Sequence, residues 1–151
     1  MRMIIQSRLI VFSDYECGQQ LQEHQKCCRQ SGRNYRMSIK GIYDIHCHIV
    51  PGVDDGATDI GETVKLLRME YEQGVRTVIA TPHFRFRMFE TPAEKVREQF
   101  RLVEKAASEI SPDLHVYLGC EFHANMEMLP MLREQKVMTM AGSRYVLTEF
   151  P

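Results

Sequence analysis

The sequence has no long hydrophobic run, almost no net charge and no regular cysteine spacing, and each absence excludes a class of protein. No apolar run approaches the ~20 residues that span a bilayer, and no small-residue cleavage site follows the apolar segments near the N-terminus. We therefore expect neither a transmembrane helix nor a signal peptide. The formal net charge is −1, and acidic and basic residues are mixed along the chain, which does not indicate nucleic-acid or membrane binding. Five irregularly spaced cysteines do not form a disulfide framework and favour a cytoplasmic location.

The N-terminal segment differs from the remainder of the 151-residue chain. From Glu16 to Arg36 it is polar and glutamine-rich, without a helical or strand period. We predict that residues 1–36 are a poorly ordered extension or a wrongly assigned translation start, with Met37 as the natural first residue. A genuine N-terminal arm is the alternative. Residues 37–151 then form a single domain.

From Ile39 onward, predicted strands alternate with predicted helices. The predicted strands cover 41–48, 76–81, 115–121 and 144–150, and the predicted helices cover about 59–73, 91–110 and 125–135. Strands separated by helices indicate an α/β fold with a parallel sheet and helical crossovers. This order fits half of a β/α barrel or half of an open doubly wound sheet.

Both long predicted helices have recognisable ends. The first begins at Thr58 or Asp59 and ends before Gly74. Its predicted buried stripe comprises Ile60, Val64, Leu67 and Tyr71. The second takes Thr91 as its N-cap and Pro92 as its first helical residue.

The motif His46-Cys47-His48 closes the first predicted strand. Side chains on a strand alternate, so Asp44, His46 and His48 point to one face. Two imidazoles on one face can bind one metal ion, and with nearby carboxylates they suit zinc, manganese, iron or nickel. A bare His-x-His also arises as two unconnected histidines at a loop mouth, so the rest of the chain has to decide.

Every predicted strand ends in residue types that bind metals. In β/α folds the active site lies at the C-terminal ends of the strands, where the loops gather. The residues at these ends are His46, His48, Asp54 and Asp55 for the first strand, His83 for the second, Glu121 for the third and Glu149 for the fourth. They predict a metal centre that activates water and neutralises charge on a phosphoryl or acyl oxygen. Because carboxylates bridge ions readily, Glu121 or Glu149 is the natural bridge.

Several nearby residues have two readings that the sequence leaves open. Asp44 can orient an imidazole, or it can be a solvated or helix-capping residue. Arg85 and Arg87 can bind an anionic substrate or be solvated loop arginines. His123 can line the site or face water, whereas His115 opens a strand at the opposite end and reads as structural.

Five motifs occur in order along the second part of the chain. They are Asp44-Ile45-His46-Cys47-His48, Pro51-Gly52-Val53-Asp54-Asp55-Gly56-Ala57, Ala80-Thr81-Pro82-His83, Gly119-Cys120-Glu121 and Tyr145-Val146-Leu147-Thr148-Glu149-Phe150-Pro151. Together they resemble the bacterial PHP-type tyrosine phosphatases of the polymerase and histidinol phosphatase superfamily. The resemblance runs from about Ile42 to Pro151. It implies a distorted, TIM-like β/α barrel with a cluster of metal ions, usually manganese. It also implies hydrolysis of phosphotyrosine on the tyrosine autokinase that drives capsule and exopolysaccharide export.

The resemblance also implies a ligand set. By it, His46, His48 and Glu121 hold the first metal, Glu121 bridges to a second held by Glu149, and Asp55 and His83 hold a third. Family members continue further at the C-terminus, where they carry more ligands and the phosphate-binding arginines. The resemblance thus implies the N-terminal half of a barrel, an incomplete cluster and weak or no activity in this chain alone. It also implies an unpaired edge at the fourth predicted strand, which would be prone to association.

Two alternatives remain. The first is another metal hydrolase with His-x-His on its first strand, such as a histidinol-phosphate phosphatase or an amidohydrolase. The second is a non-catalytic remnant that binds a partner.

Overall fold

The computed structural model describes residues 2–5, 10–12 and 41–150. Within these ranges the strands are β1 (Arg2–Ile5), β2 (Ile10–Phe12), β3 (Ile42–Cys47), β4 (Val75–Ala80), β5 (His83–Phe84), β6 (His115–Leu118), β7 (Glu121–His123) and β8 (Tyr145–Glu149). The helices are α1 (Ile60–Glu72), α2 (Ala93–Ile110) and α3 (Met128–Arg133), and a 3-10 turn covers Met140–Gly142. None of these helices is both long and apolar enough to cross a membrane.

The strands form two four-stranded sheets. One has the order β2-β3-β4-β6 and the other has the order β1-β8-β7-β5. All neighbouring strands are parallel except β2, which runs antiparallel to β3. The predicted α/β fold with parallel strands is therefore confirmed. The open edge predicted at the fourth strand is wrong, because β8 pairs with β7 on one side and with β1 on the other. Of residues 1–36, only β1 and β2 are described, so the predicted disorder of this segment falls mostly outside the described residues.

The third predicted strand is wrong in one respect, because it is broken. β6 and β7 belong to different sheets, and Gly119 and Cys120 separate them. The strand paired with it is interrupted at the same level, because Thr81 and Pro82 separate β4 from β5. Proline has no N–H to continue a strand pairing. The bridging hydrogen bonds are Gly119 N–H to Ala80 O at 2.7 Å and Glu121 N–H to Pro82 O at 3.0 Å. The two paired segments therefore bend together, and the bend places His83 beside Glu121.

The core lies between the first sheet and the two long helices. Its buried members include Leu67 of α1, Val78 of β4, and Val96, Phe100 and Val103 of α2. Burying each such side chain contributes roughly 1.5–3 kcal/mol. The buried α2 residues recur every three or four positions, as the apolar face of an amphipathic helix requires.

The predicted stripe of α1 is wrong at its first member. Ile60 is 41% exposed, and Thr63 is fully buried instead. The Thr63 hydroxyl donates to the backbone oxygen of Ile49 at 2.9 Å, which satisfies the buried polar atom. Of the two predicted start residues, Thr58 and Asp59, the N-cap is Asp59, whose side chain accepts the Glu62 N–H at 2.9 Å.

Thr91 is not the N-cap of α2, contrary to the prediction. The cap position is Pro92, and it makes no side-chain capping bond. The Thr91 hydroxyl instead donates to the backbone oxygen of Val53 at 2.8 Å. This bond ties the start of α2 to the loop that carries Asp54 and Asp55.

Candidate metal centre

The C-terminal end of β3 is irregular at the histidine pair. Asp44 is paired with Val78 and Cys47 with Ala80, so β3 uses one residue more than β4 and contains a bulge. Bulges redirect side chains, which changes the simple alternation expected from the sequence. Asp44 accepts the His46 backbone N–H at 2.9 Å, so it holds the bulged backbone. Burial of the neighbouring Glu70 raises the pKa of that carboxyl to about 7, and the charge of Asp44 and a hydrogen bond between the two side chains add to the effect.

Glu121 is the centre of the site. Its side chain is only 1% exposed, and its Oε2 atom faces three imidazoles. The distances are 3.0 Å to His46 Nε2, 3.2 Å to His48 Nε2 and 3.2 Å to His83 Nδ1. His46 Nε2 and His48 Nε2 are 3.3 Å apart. One buried carboxylate oxygen thus lies where β3 ends and where β5 and β7 begin.

The charges of this cluster reinforce one another. Burial would raise the pKa of Glu121, but hydrogen bonds from His46 and His48 outweigh burial and lower the pKa to about 2. Burial would likewise lower the pKa of His48, but hydrogen bonds to Asp54 and Glu121 outweigh it and raise the pKa to about 9. Without metal, Glu121 is therefore an anion and His48 a cation at neutral pH. A divalent ion that binds His48 has to displace its proton.

Asp54 is a positioning residue, a role that the sequence did not assign to it. Its buried Oδ2 accepts from His48 Nδ1 at 2.9 Å and from the His83 N–H at 2.8 Å, while its Oδ1 accepts the Gly56 N–H at 3.0 Å. Burial raises the pKa of Asp54, but these bonds outweigh burial and leave the pKa below its usual value. Because Asp54 accepts a hydrogen bond from His48 Nδ1, the other ring nitrogen, His48 Nε2, is directed towards Glu121.

The donor atoms fall into three overlapping groups. The groups are His46, His48 and Glu121; His48, Asp55 and His83; and His83, Glu121 and Glu149, with the donor atoms of each lying within 4.8 Å of one another. All six residues predicted as ligands are therefore brought together, and their coordination of metal stays a prediction. A neutral imidazole offers one lone pair, so His83 serves one of its two groups at a time.

The site meets the requirements of a divalent metal centre. The donors are imidazole nitrogens and carboxylate oxygens, which suit manganese, iron and zinc. His83 Nδ1 is buried and has no hydrogen-bond partner among the described residues. A buried polar atom without a partner is costly unless an ion or another group satisfies it.

The predicted substrate residue Arg85 begins a tight turn beside His83. Arg85 and Phe89 exchange both backbone hydrogen bonds, at 2.9 and 2.8 Å. The Phe89 ring stacks on His83 with 5.4 Å between centroids. We call residues 85–89 the 85–89 turn. Phe86 and Met88 at its tip are more than half exposed.

Family membership follows from the sequence match over the same residues. Residues 42–151 match the family model described as capsular polysaccharide synthesis, CpsB/CapC. This chain belongs to the CpsB/CapC family. The predicted resemblance to capsule-type phosphatases is thereby confirmed.

Curated CpsB/CapC relatives carry names that state an activity. The chain is 44% identical over 109 residues to the tyrosine-protein phosphatase CpsB of Streptococcus pneumoniae, covering 72% of this chain and 45% of that protein. It is 35% identical over 110 residues to the tyrosine-protein phosphatase YwqE of Bacillus subtilis (strain 168), covering 73% of this chain and 43% of that protein.

A solved structure of the family is also similar to this chain. It comes from the crystal structures of YwqE from B. subtilis and CpsB from S. pneumoniae, described as unique metal-dependent tyrosine phosphatases. The match has a TM-score of 0.66 and 35% identity, and it covers 72% of this chain and 44% of that chain. This chain therefore spans less than half the length of the relatives that it matches.

Proposed function

We propose that this chain belongs to a metal-dependent phosphatase that removes phosphate from tyrosine residues of a bacterial tyrosine autokinase in capsule or exopolysaccharide synthesis. The observation that carries the proposal is the buried Glu121 carboxylate facing His46, His48 and His83. The names of the relatives support the reaction and the substrate class.

The metal that we propose is manganese. Bound divalent ions would stabilise charge on the phosphoryl oxygens and lower the pKa of water. The chain's own residues would hold and orient the ions. His46, His48 and Glu121 would hold one ion, Glu149 with Glu121 a second, and Asp55 with His83 a third. Asp54 would fix the ring of His48.

The fold proposal follows from the sheets. The two sheets would form part of a distorted, TIM-like β/α barrel, with the metal centre at the C-terminal ends of its strands. The family match begins at residue 42, which supports a phosphatase part formed by residues 37–151. We propose that it acts in the cytoplasm, which the irregular spacing of its five cysteines favours.

The first prediction concerns substrate preference. The purified chain, incubated with manganese and desalted, should retain manganese by mass spectrometry. Any hydrolysis by this chain should be faster on a phosphotyrosyl peptide than on histidinol phosphate or a cyclic amide, because its relatives are named as tyrosine-protein phosphatases. Faster turnover of histidinol phosphate or of the amide would show that phosphotyrosine is not the preferred substrate. Near-zero manganese would favour a non-catalytic partner-binding protein.

The second prediction concerns the 85–89 turn. We propose that Arg85 binds the substrate phosphate and that exposed Phe86 contacts the tyrosine ring. The 85–89 turn that carries both is closed by two backbone hydrogen bonds and stacks its Phe89 ring on His83. Arg85→Ala should raise KM for the phosphotyrosyl peptide about tenfold, since a charge-assisted hydrogen bond contributes about 1.5–3 kcal/mol. Manganese content should stay unchanged.

Arg144→Ala is the matched control for Arg85→Ala. Arg144 is an exposed arginine just before β8, at the opposite end of the strand from Glu149. It should leave KM unchanged. Equal KM values for the two variants would show that Arg85 is only a solvated loop residue.

A further inference from the structure

His123 occupies a position that the proposed ligand set does not use. It lies two residues after Glu121 on β7, so both side chains project from the same face of the strand. On the neighbouring strand β8, the residue directly opposite His123 is Glu149. His83 is directly opposite Glu121 on the other side of β7. Four ionisable residues from three adjacent strands therefore share one face.

His123 is mostly enclosed, which decides between the two readings left open by the sequence. Its side chain is 18% exposed, and its Nδ1 atom lies 3.6 Å from Glu149 Oε2. That distance is longer than a hydrogen bond. His123 Nδ1 is buried and has no hydrogen-bond partner within the described ranges. A small rotation of either side chain would close the gap and satisfy the buried nitrogen.

The position also argues against direct coordination by His123. In the part of the chain that the structure describes, His123 is in none of the three donor groups, whereas Glu149 shares a group with His83 and Glu121. A carboxylate has two oxygens, so one can bind an ion while the other accepts a hydrogen bond. His123 is placed to serve the second oxygen.

We propose that His123 is a positioning residue that donates its Nδ1–H to Glu149, so that the other Glu149 oxygen faces His83 and Glu121. The proposal rests on the metal centre of the proposed function. A neutral imidazole suits this role, because it donates one hydrogen bond without placing a fixed positive charge beside the ions. Groups that hold a metal-binding carboxylate typically change metal affinity 10–100-fold when they are removed.

The test compares two substitutions by isothermal titration of the metal-free 151-residue chain with manganese. His123→Leu should weaken manganese binding about 10–100-fold, because leucine fills space but donates no hydrogen bond. His123→Asn should restore most of the affinity, because its amide N–H lies close to the position of Nδ1. His115→Leu, at an exposed histidine that opens β6, is the control and should bind as the unsubstituted chain does.

Three results would overturn the proposal. Equal loss in His123→Leu and His123→Asn would make the imidazole itself a ligand or a packing group. Unchanged affinity in both would remove His123 from the metal centre. Affinity loss that follows a lower melting temperature of the metal-free protein would make its role structural. If His123→Leu does not fold, His123→Asn decides, since the proposal requires it to bind nearly as the unsubstituted chain does.

The outcome is separable from that of the proposed function. Metal affinity is measured without turnover. An unsubstituted chain that binds manganese but hydrolyses no phosphotyrosine contradicts the proposed function and leaves the His123 comparison decisive. If the unsubstituted chain hydrolyses phosphotyrosine and both His123 variants bind manganese as it does, the proposed function stands and the His123 proposal is contradicted.

Discussion

Glutamine in place of Glu121 should weaken manganese binding by more than about 100-fold, beyond the range for residues that only orient a ligand. Glu121 belongs to two of the three donor groups and supplies the only carboxylate of the first. The amide removes one negative charge and turns an N–H or a weaker oxygen towards three imidazoles. Titration calorimetry on the metal-free protein measures the loss.

The same substitution should change how the metal-free protein depends on pH. The pKa of Glu121 is lowered to about 2, so its stabilisation is present above pH 4.5 and is lost as pH falls through about 2. The pKa of His48 is raised to about 9, so its stabilisation is present below pH 6.5 and is lost as pH rises through about 9. Both contributions are complete only between about pH 4.5 and 6.5. Thermal unfolding in EDTA should show maximal stability there.

Glu121→Gln should flatten this maximum, with a loss on the order of 3 kcal/mol at pH 6. Glu127→Gln, at an exposed glutamate before α3, is the matched control and should keep the unsubstituted profile. If Glu121→Gln binds manganese within about threefold of the unsubstituted chain, less than 1 kcal/mol, Glu121 is not the centre of the site.

The long elements could be predicted because their patterns are local. The apolar spacing of α2 and the β-branched run of β4 each lie within a single segment, and the helix and the strand predicted there are both present. The bend at Pro82 and Gly119 could not be predicted, because it arises only when two segments that are far apart in the sequence pair side by side. β5 has two residues, which is too short for any periodicity.

From the residue pattern alone, without the family resemblance, the site was predictable to the level of residue type but not of role. The rule that strand ends share one edge brought together all six proposed ligands. Asp54 and Asp55 are adjacent and chemically identical, and only the fold shows that Asp54 is buried against His48 while Asp55 is 65% exposed. The bulge in β3 also escaped the sequence, because strand alternation assumes regular pairing.

Gly56→Ala should disrupt the site without touching a ligand. The loop folds back on β3 at this point, where the Ala57 N–H donates to the His48 backbone oxygen at 2.9 Å. A Cβ atom at Gly56 would overlap the carbonyl oxygen and the Cβ atom of His48, and it would lie 2.9 Å from the carbonyl carbon. These neighbours are mostly backbone and cannot rotate away. The loop must therefore move, which pulls Asp54 from His48.

The expected cost of Gly56→Ala is about 1–3 kcal/mol or more in the free energy of unfolding, as for other overpacked sites. Manganese affinity should fall more than about tenfold, because Asp54 no longer orients His48. Denaturant unfolding and metal titration measure the two effects.

Gly142→Ala is the matched control, because a Cβ there meets nothing within 4 Å although its φ is +70°. It should cost about 1–2 kcal/mol through backbone strain and leave manganese affinity unchanged. If both variants bind manganese as the unsubstituted chain does, the contact between Gly56 and His48 does not hold the metal centre in place.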